Sequence, residues 1–212
     1  MQERLTDLPA RELIERLATS DPIPGGGSAS AIAGAMGAAL VHMVVALTTG
    51  RAIAVDDEEE LAAIGDAAVA AQSDLLRLAE LDAAAYAGVV RARRLPRETE
   101  LEKQSREVQV GVATREATMA PLETARRAAD VFGLAERLAP IGNRNALSDV
   151  GVAALLAATA VRGAALNVRI NVPHLPDGDE LRDDGRRQLD ALMANLDARE
   201  RAIRRAVEDR LG

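Results

Sequence analysis

No cysteine occurs in the 212 residues, which excludes disulfides, thiolate metal sites and a cysteine nucleophile. A reducing cytoplasm fits that absence. Aromatic residues are almost missing as well: there is no tryptophan, and Tyr86 and Phe132 stand alone. Alanine dominates and β-branched residues are sparse, so a sheet protein is not expected and the core must be Leu, Ala, Val and Met. With 26 Lys+Arg against 33 Asp+Glu, a net charge of -7 and no aromatic platforms, the chain is not expected to bind nucleic acid. Two histidines, His42 and His174, give no support for a histidine metal site, and no serine has a convincing histidine base. The N-terminus, Met1-Gln2-Glu3-Arg4-Leu5, lacks the charged-then-apolar pattern of a secretory signal. No Pro/Gly/Ser-rich linker divides the sequence, so residues 1–212 read as a single domain.

What is present is helical periodicity. Six helices are expected: Pro9 to Thr19, Ser28 to Thr49 with a stop at Gly50, and a third from the acidic start Asp57-Glu58-Glu59-Glu60 to Leu95, before Pro96. A fourth runs from about Thr99 to Leu138, with Pro121 expected to kink or break it. The fifth, Asn145 to Asn171, is apolar almost all round and reads as the buried central helix. The last, Asp179 to Arg210, carries Leu189, Leu192, Met193, Leu196, Ile203 and Val207 as one stripe. Short connections make these antiparallel neighbours, so the expected fold is an all-α, up-and-down bundle. The uncharged run from Ala29 to Leu47 is long enough to span a membrane, but its Ala/Gly content, Ser30 and His42 favour a bundle helix and no membrane partner. Small residues on helix faces contribute little buried area each, so a homodimer is expected to add core.

Several residues could carry chemistry. Gly25, Gly26 and Gly27 precede Ser28, a good N-cap, and the helix start they form offers free N–H groups where a ligand or another backbone can come close. No lysine follows, so a triphosphate loop is not indicated; a tight turn between packed helices is the other reading. Asp82 interrupts the stripe Leu75, Leu78, Tyr86 and Val89. A carboxyl withdrawn from water there could work as a general acid or base, or could simply be bonded to a neighbouring helix. Asn143, Asn145, Ser148 and Asp149 crowd the start of the fifth helix, where capping and ligand binding both use such residues. Arg162, Asn167, Arg169 and Asn171 break its apolar faces; the arginines could meet a substrate carboxylate or an acid of a second subunit. His42, between Val41 and Met43, reads as a core or interface residue.

In order along the chain, Pro24-Gly25-Gly26-Gly27-Ser28, Leu47-Thr48-Thr49-Gly50, Asp82-Ala83-Ala84-Ala85-Tyr86, Leu95-Pro96-Arg97-Glu98-Thr99, Pro121-Leu122-Glu123, Gly142-Asn143-Arg144-Asn145, Ser148-Asp149-Val150-Gly151 and Leu166-Asn167-Val168-Arg169-Ile170-Asn171 resemble the cyclodeaminase/cyclohydrolase family of folate one-carbon enzymes. The resemblance spans almost the whole chain. It implies an all-helical dimer acting on a tetrahydrofolate derivative, with no other cofactor. The catalytic residues it implies are Asp82 and Asp149, the two acids of one reacting centre. Gly25, Gly26, Gly27, Ser28, Arg51, Tyr86, Asn143, Asn145, Ser148, Asn167 and Arg169 would bind substrate. Where the family usually has Gly-Lys-Lys-x-aromatic, this chain has Gly50-Arg51-Ala52-Ile53-Ala54, which keeps one cation and loses the second and the aromatic. The expected activity is formimidoyltetrahydrofolate cyclodeaminase, with methenyltetrahydrofolate cyclohydrolase and a non-catalytic folate- or acid-binding dimer as alternatives.

Overall fold

The computed structural model describes residues 4–49 and 55–211. Seven α-helices occur among them: α1 (Ala10–Leu17), α2 (Gly26–Thr48), α3 (Val55–Arg93), α4 (Glu100–Leu138), α5 (Leu147–Asn171), α6 (Leu181–Met193) and α7 (Leu196–Leu211). There is no strand among the described residues. The helices α2, α3, α4 and α5 form a square: α2 and α4 each pack on both α3 and α5, and they face one another across the diagonal. The core between them is built from Leu, Ile, Val and many alanines around Phe132, as expected of a chain so poor in aromatics.

Small residues set the spacing of α2 and α5. A Cβ added to Gly34 would stand 3.3 Å from Ala160 Cβ, and one on Gly37 would stand 3.0 Å from the Ala153 carbonyl oxygen. Along this seam the neighbours of Gly26, Ser30, Gly34 and Gly37 are Asn167, Gly163, Ala160 and Ala157, so the two helices run antiparallel.

Three expectations about elements are corrected. The last helix is two helices, because Asn195 adopts a left-handed conformation (φ 59°) and turns the chain between α6 and α7. Pro121 does not break α4, which continues through it. Proline has no N–H to offer the Ala117 carbonyl four residues back; Asn171 Nδ2 of α5 donates to that oxygen instead, at 2.7 Å. The helix α5 is not wholly buried. Leu155, Leu166 and Ile170 are each more than half exposed, on the same side of the bundle as Met36 of α2.

Candidate active site

Asp82 sits on the core-facing stripe of α3, beside the fully buried Leu75 and Ala79, and α2 begins directly above it. Ser28 Oγ lies 3.0 Å from Asp82 Oδ2 and 3.0 Å from the Ala79 carbonyl oxygen. Its single proton serves one of these acceptors at a time. The Ser28 backbone N–H also favours the ionised carboxylate. A Cβ on Gly27 would stand 2.1 Å from Asp82 Oδ1, well inside contact distance, so the acid can occupy this place only because residue 27 is glycine. Burial pushes the Asp82 carboxyl above its ordinary value, and the bonds from Ser28 pull it part of the way back. Ser28 is thus not the cap of α2. That position belongs to Gly25, and Ser28 turns inward to hold the acid.

The same end of the bundle gathers further polar groups. Tyr86, one turn beyond Asp82 on α3, is 43% exposed. Asn167 donates through Nδ2 to the Gly163 carbonyl and brings that nitrogen within 3.6 Å of where a Gly26 Cβ would be. On α4, the Thr114 hydroxyl is buried with no hydrogen-bond partner among the described residues. Gly88 of α3 packs against Ala113, which places Thr114 between one and two turns past Asp82, toward this open end. Sequence reasoning missed Thr114, because a threonine in an alanine-rich helix looks unremarkable until its hydroxyl is found unpaired.

The second polar cluster lies at the other end of α2. Asn143 N donates to Thr48 Oγ1, and Asn143 Nδ2 donates to the Leu47 carbonyl. Asn143 Oδ1 accepts from Asn145 N. Asn143 therefore ties the end of α2 to the start of α5, and its side chain is taken up inside the protein. Ser148 is exposed and Asp149 half-buried in the first turn of α5. Continuing the α2–α5 register puts Asp149 level with Val44, whereas Asp82 is level with Gly27. At a rise of 1.5 Å per residue, the two acids of one chain stand roughly 25 Å apart along the bundle. One chain does not bring them together.

Other candidates fall elsewhere. Arg162 pairs with Asp197 and Glu200 of α7, so neither a substrate nor a second subunit is needed to balance it. Arg169 lines a small cleft with Arg186 and Asp190, which neither Asp82 nor Asp149 lines. His42 is exposed rather than in the core. Arg51 lies outside the described residues. A cleft of about 910 Å³ runs between α1 and α3 past Arg4, Arg16 and Arg91; Asp82 does not line it. Helices spanning Gly26–Thr48 and Arg144–His174 are long and apolar enough to cross a membrane by length and composition, and both are built into the bundle. No group of three or more His, Cys, Asp or Glu side chains among the described residues could hold a metal ion.

The family model described as formiminotransferase-cyclodeaminase matches residues 9–190, which include Asp82, Asp149 and both polar clusters. The chain belongs to the formiminotransferase-cyclodeaminase family. A methenyltetrahydrofolate cyclohydrolase of Methylorubrum extorquens is 37% identical over 198 residues, covering 93% of this chain and 95% of its own. The rat formimidoyltransferase-cyclodeaminase is 31% identical over 192 residues, but the chain spans only 35% of that protein. A crystal structure titled formiminotetrahydrofolate cyclodeaminase, from Thermotoga maritima, superposes with a TM-score of 0.78 at 27% identity and covers 98% of both chains. The helical bundle derived above is thus the family's fold, and these relatives are folate one-carbon enzymes.

Proposed function

We propose that this family member is a methenyltetrahydrofolate cyclohydrolase. The observation that carries the reading is Asp82: a single carboxylate held against Ser28 and Gly27 at an open end of the bundle, with its proton affinity raised by burial. A base of that kind suits the attack of water on a cationic carbon. The water oxygen bonds to the methenyl carbon between N5 and N10, and its proton passes to the Asp82 carboxylate. As the adduct's hydroxyl gives up its remaining proton to solvent and becomes the formyl carbonyl, the carbon–N5 bond breaks, N5 takes the proton held by Asp82, and the 10-formyl product is released with one net proton. Ionised Asp82 also stabilises the positive charge that the methenyl group brings. One water is added and no oxidation state changes, so the balance needs no redox cofactor. The 37% identity to the bacterial cyclohydrolase over nearly the whole of both chains, against 27% to the Thermotoga cyclodeaminase, supports this choice over the cyclodeaminase expected from sequence.

Cyclodeamination is the second reading, favoured by the structural likeness to the Thermotoga protein. There N10 attacks the formimino carbon on N5, and ammonia leaves after protonation. The raised proton affinity of Asp82 would equally serve that proton transfer. Following the methenyl absorbance separates the readings: it falls with methenyltetrahydrofolate for the hydrolase and rises with formiminotetrahydrofolate for the deaminase. Silence with both substrates would overturn the enzymatic reading.

A further inference from the structure

We infer that the cleft between α1 and α3 binds an organic anion, a carboxylate or phosphate on an apolar body, and that α1 is a strap that closes over it. The cleft is separate from the place where Asp82 is held. At about 100° per residue, Ala84, Ala87 and Arg91 stand roughly 140° to 200° around α3 from Asp82, and so face away from the start of α2. With Ala83 they form the floor of the 910 Å³ cleft, a volume that suits a small organic ligand, and Leu5, Ile23 and Pro24 add apolar wall. The two acids that line it are already engaged. Glu80 Oε1 accepts from Thr6 N and Thr6 Oγ1 at 2.8 and 2.9 Å, and Asp21 Oδ1 accepts from Ile23 N at 3.0 Å. Of the three arginines, Arg16 meets Glu12 of its own helix at 2.6 Å, whereas Arg4 and Arg91 make no ion pair with any described residue. Two uncommitted guanidinium groups beside an apolar floor are the complement of an anion with an apolar body.

The helix that roofs this cleft is not seated. No residue of α1 is buried, Ile14 is 64% exposed, and α1 has no extended packing against another helix. Its half-buried residues, Glu12, Leu13, Arg16 and Leu17, share one side, and Arg16 identifies that side as the one toward the cleft. The segment is pinned at both ends. Before it, Leu5 and Leu8 are buried and Thr6 holds Glu80; after it, the chain passes Asp21 and Pro24 into the start of α2. Dropping between these anchors onto Ala83, Ala84 and Ala87, α1 would bury Leu13 and Leu17 and expel water. The same motion brings Arg16 toward Arg4 and Arg91, and like charges withdrawn from water oppose it. An anion among them removes that opposition, so the ligand favours the closed strap.

The lack of cysteine in the chain makes the test direct. Leu17→Cys is combined in turn with Ala83→Cys, Ala84→Cys and Ala87→Cys, and disulfide formation with the uncharged oxidant diamide is followed by mass. At least one pair is expected to bridge about tenfold faster with the anion present, because the two Cα atoms must come within about 7 Å. Ile14→Cys, on the outer side, should bridge with none of the three. The probes are phthalate, phenyl phosphate and methenyltetrahydrofolate, at ionic strength matched with chloride. Acceleration by either of the first two assigns the site to a free anion, and acceleration by the folate alone assigns it to the carboxylates of that molecule; both support the site. In the bridging pair, Arg4→Ala and Arg91→Ala should each raise the anion concentration for half-maximal effect about tenfold, with helical circular dichroism unchanged. No acceleration by any probe would overturn the proposal, as would bridging that is equally fast without an anion or indifferent to both arginine variants. The folate reading stands apart from all these outcomes, since the methenyl absorbance of the unaltered chain tests it.

Discussion

The placement of Asp82 against α2 makes opposite demands on stability and activity. Its carboxyl titrates above the ordinary value of 3.8 because burial penalises the charge. The folded chain therefore holds that proton more tightly than the unfolded chain, and stability attributable to this group is greatest below pH 3.8. It falls as pH rises through the raised value. Asp82→Asn is thus expected to leave stability unchanged or raised at pH 7, with the difference vanishing below pH 3.8, as urea denaturation at the two pH values would show. Turnover in wild type should fall on the acid side as Asp82 is protonated, with a limb above pH 3.8 in kcat/KM. Gly27→Ala should reduce turnover on the order of a hundredfold by displacing the carboxylate. Kinetics beside a helical far-ultraviolet spectrum would check that loss. Asp82 and the triple glycine are each conspicuous in the sequence, but that one admits the other is not legible there, since Asp82 Oδ1 fills the space a Gly27 Cβ would need, between residues 55 apart.

Between helices, the link from Asn171 to the Ala117 carbonyl explains how α4 passes through Pro121. Removing the amide leaves a buried carbonyl without a donor, so Asn171→Ala should cost about 1 to 2 kcal/mol. In a Pro121→Ala background the restored N–H can serve that oxygen, and the same substitution should cost much less. A double-mutant cycle by chemical denaturation measures the difference. At the α6–α7 junction, Asn195→Ala should lose about 1 kcal/mol because the short amide of asparagine eases the left-handed φ of 59° and a methyl does not, while Asn195→Gly, which has no Cβ to crowd, should not. Helix periodicity located the long helices to within a few residues, since their apolar positions repeat every third or fourth residue. It missed the α6–α7 turn because the apolar stripe from Leu189 to Val207 runs on across it. It misjudged Pro121 because the compensating donor comes from fifty residues away.

At the level of the whole molecule, fold class followed from composition, whereas the separation of the two polar clusters did not. The sequence shows two polar clusters, but only the antiparallel register of α2 and α5 shows that they lie at opposite ends. Were two copies to pair over the exposed Leu155, Leu166, Ile170 and Met36, the melting temperature would rise with protein concentration, by mass action. Scans at concentrations a hundredfold apart would show the shift, and coincident melting would argue against it. The α2–α5 pairing also bears on how the chain is made. About a hundred residues separate the end of α2 from the start of α5. At a synthesis rate of about 5 to 20 residues per second, α2 emerges roughly 5 to 20 seconds before its partner helix. Through that interval one of the most apolar segments of the chain has only α3 and, across the diagonal, α4 to cover it. A nascent chain arrested after α4 is therefore expected to be captured by a chaperone, and one arrested after α7 to be released.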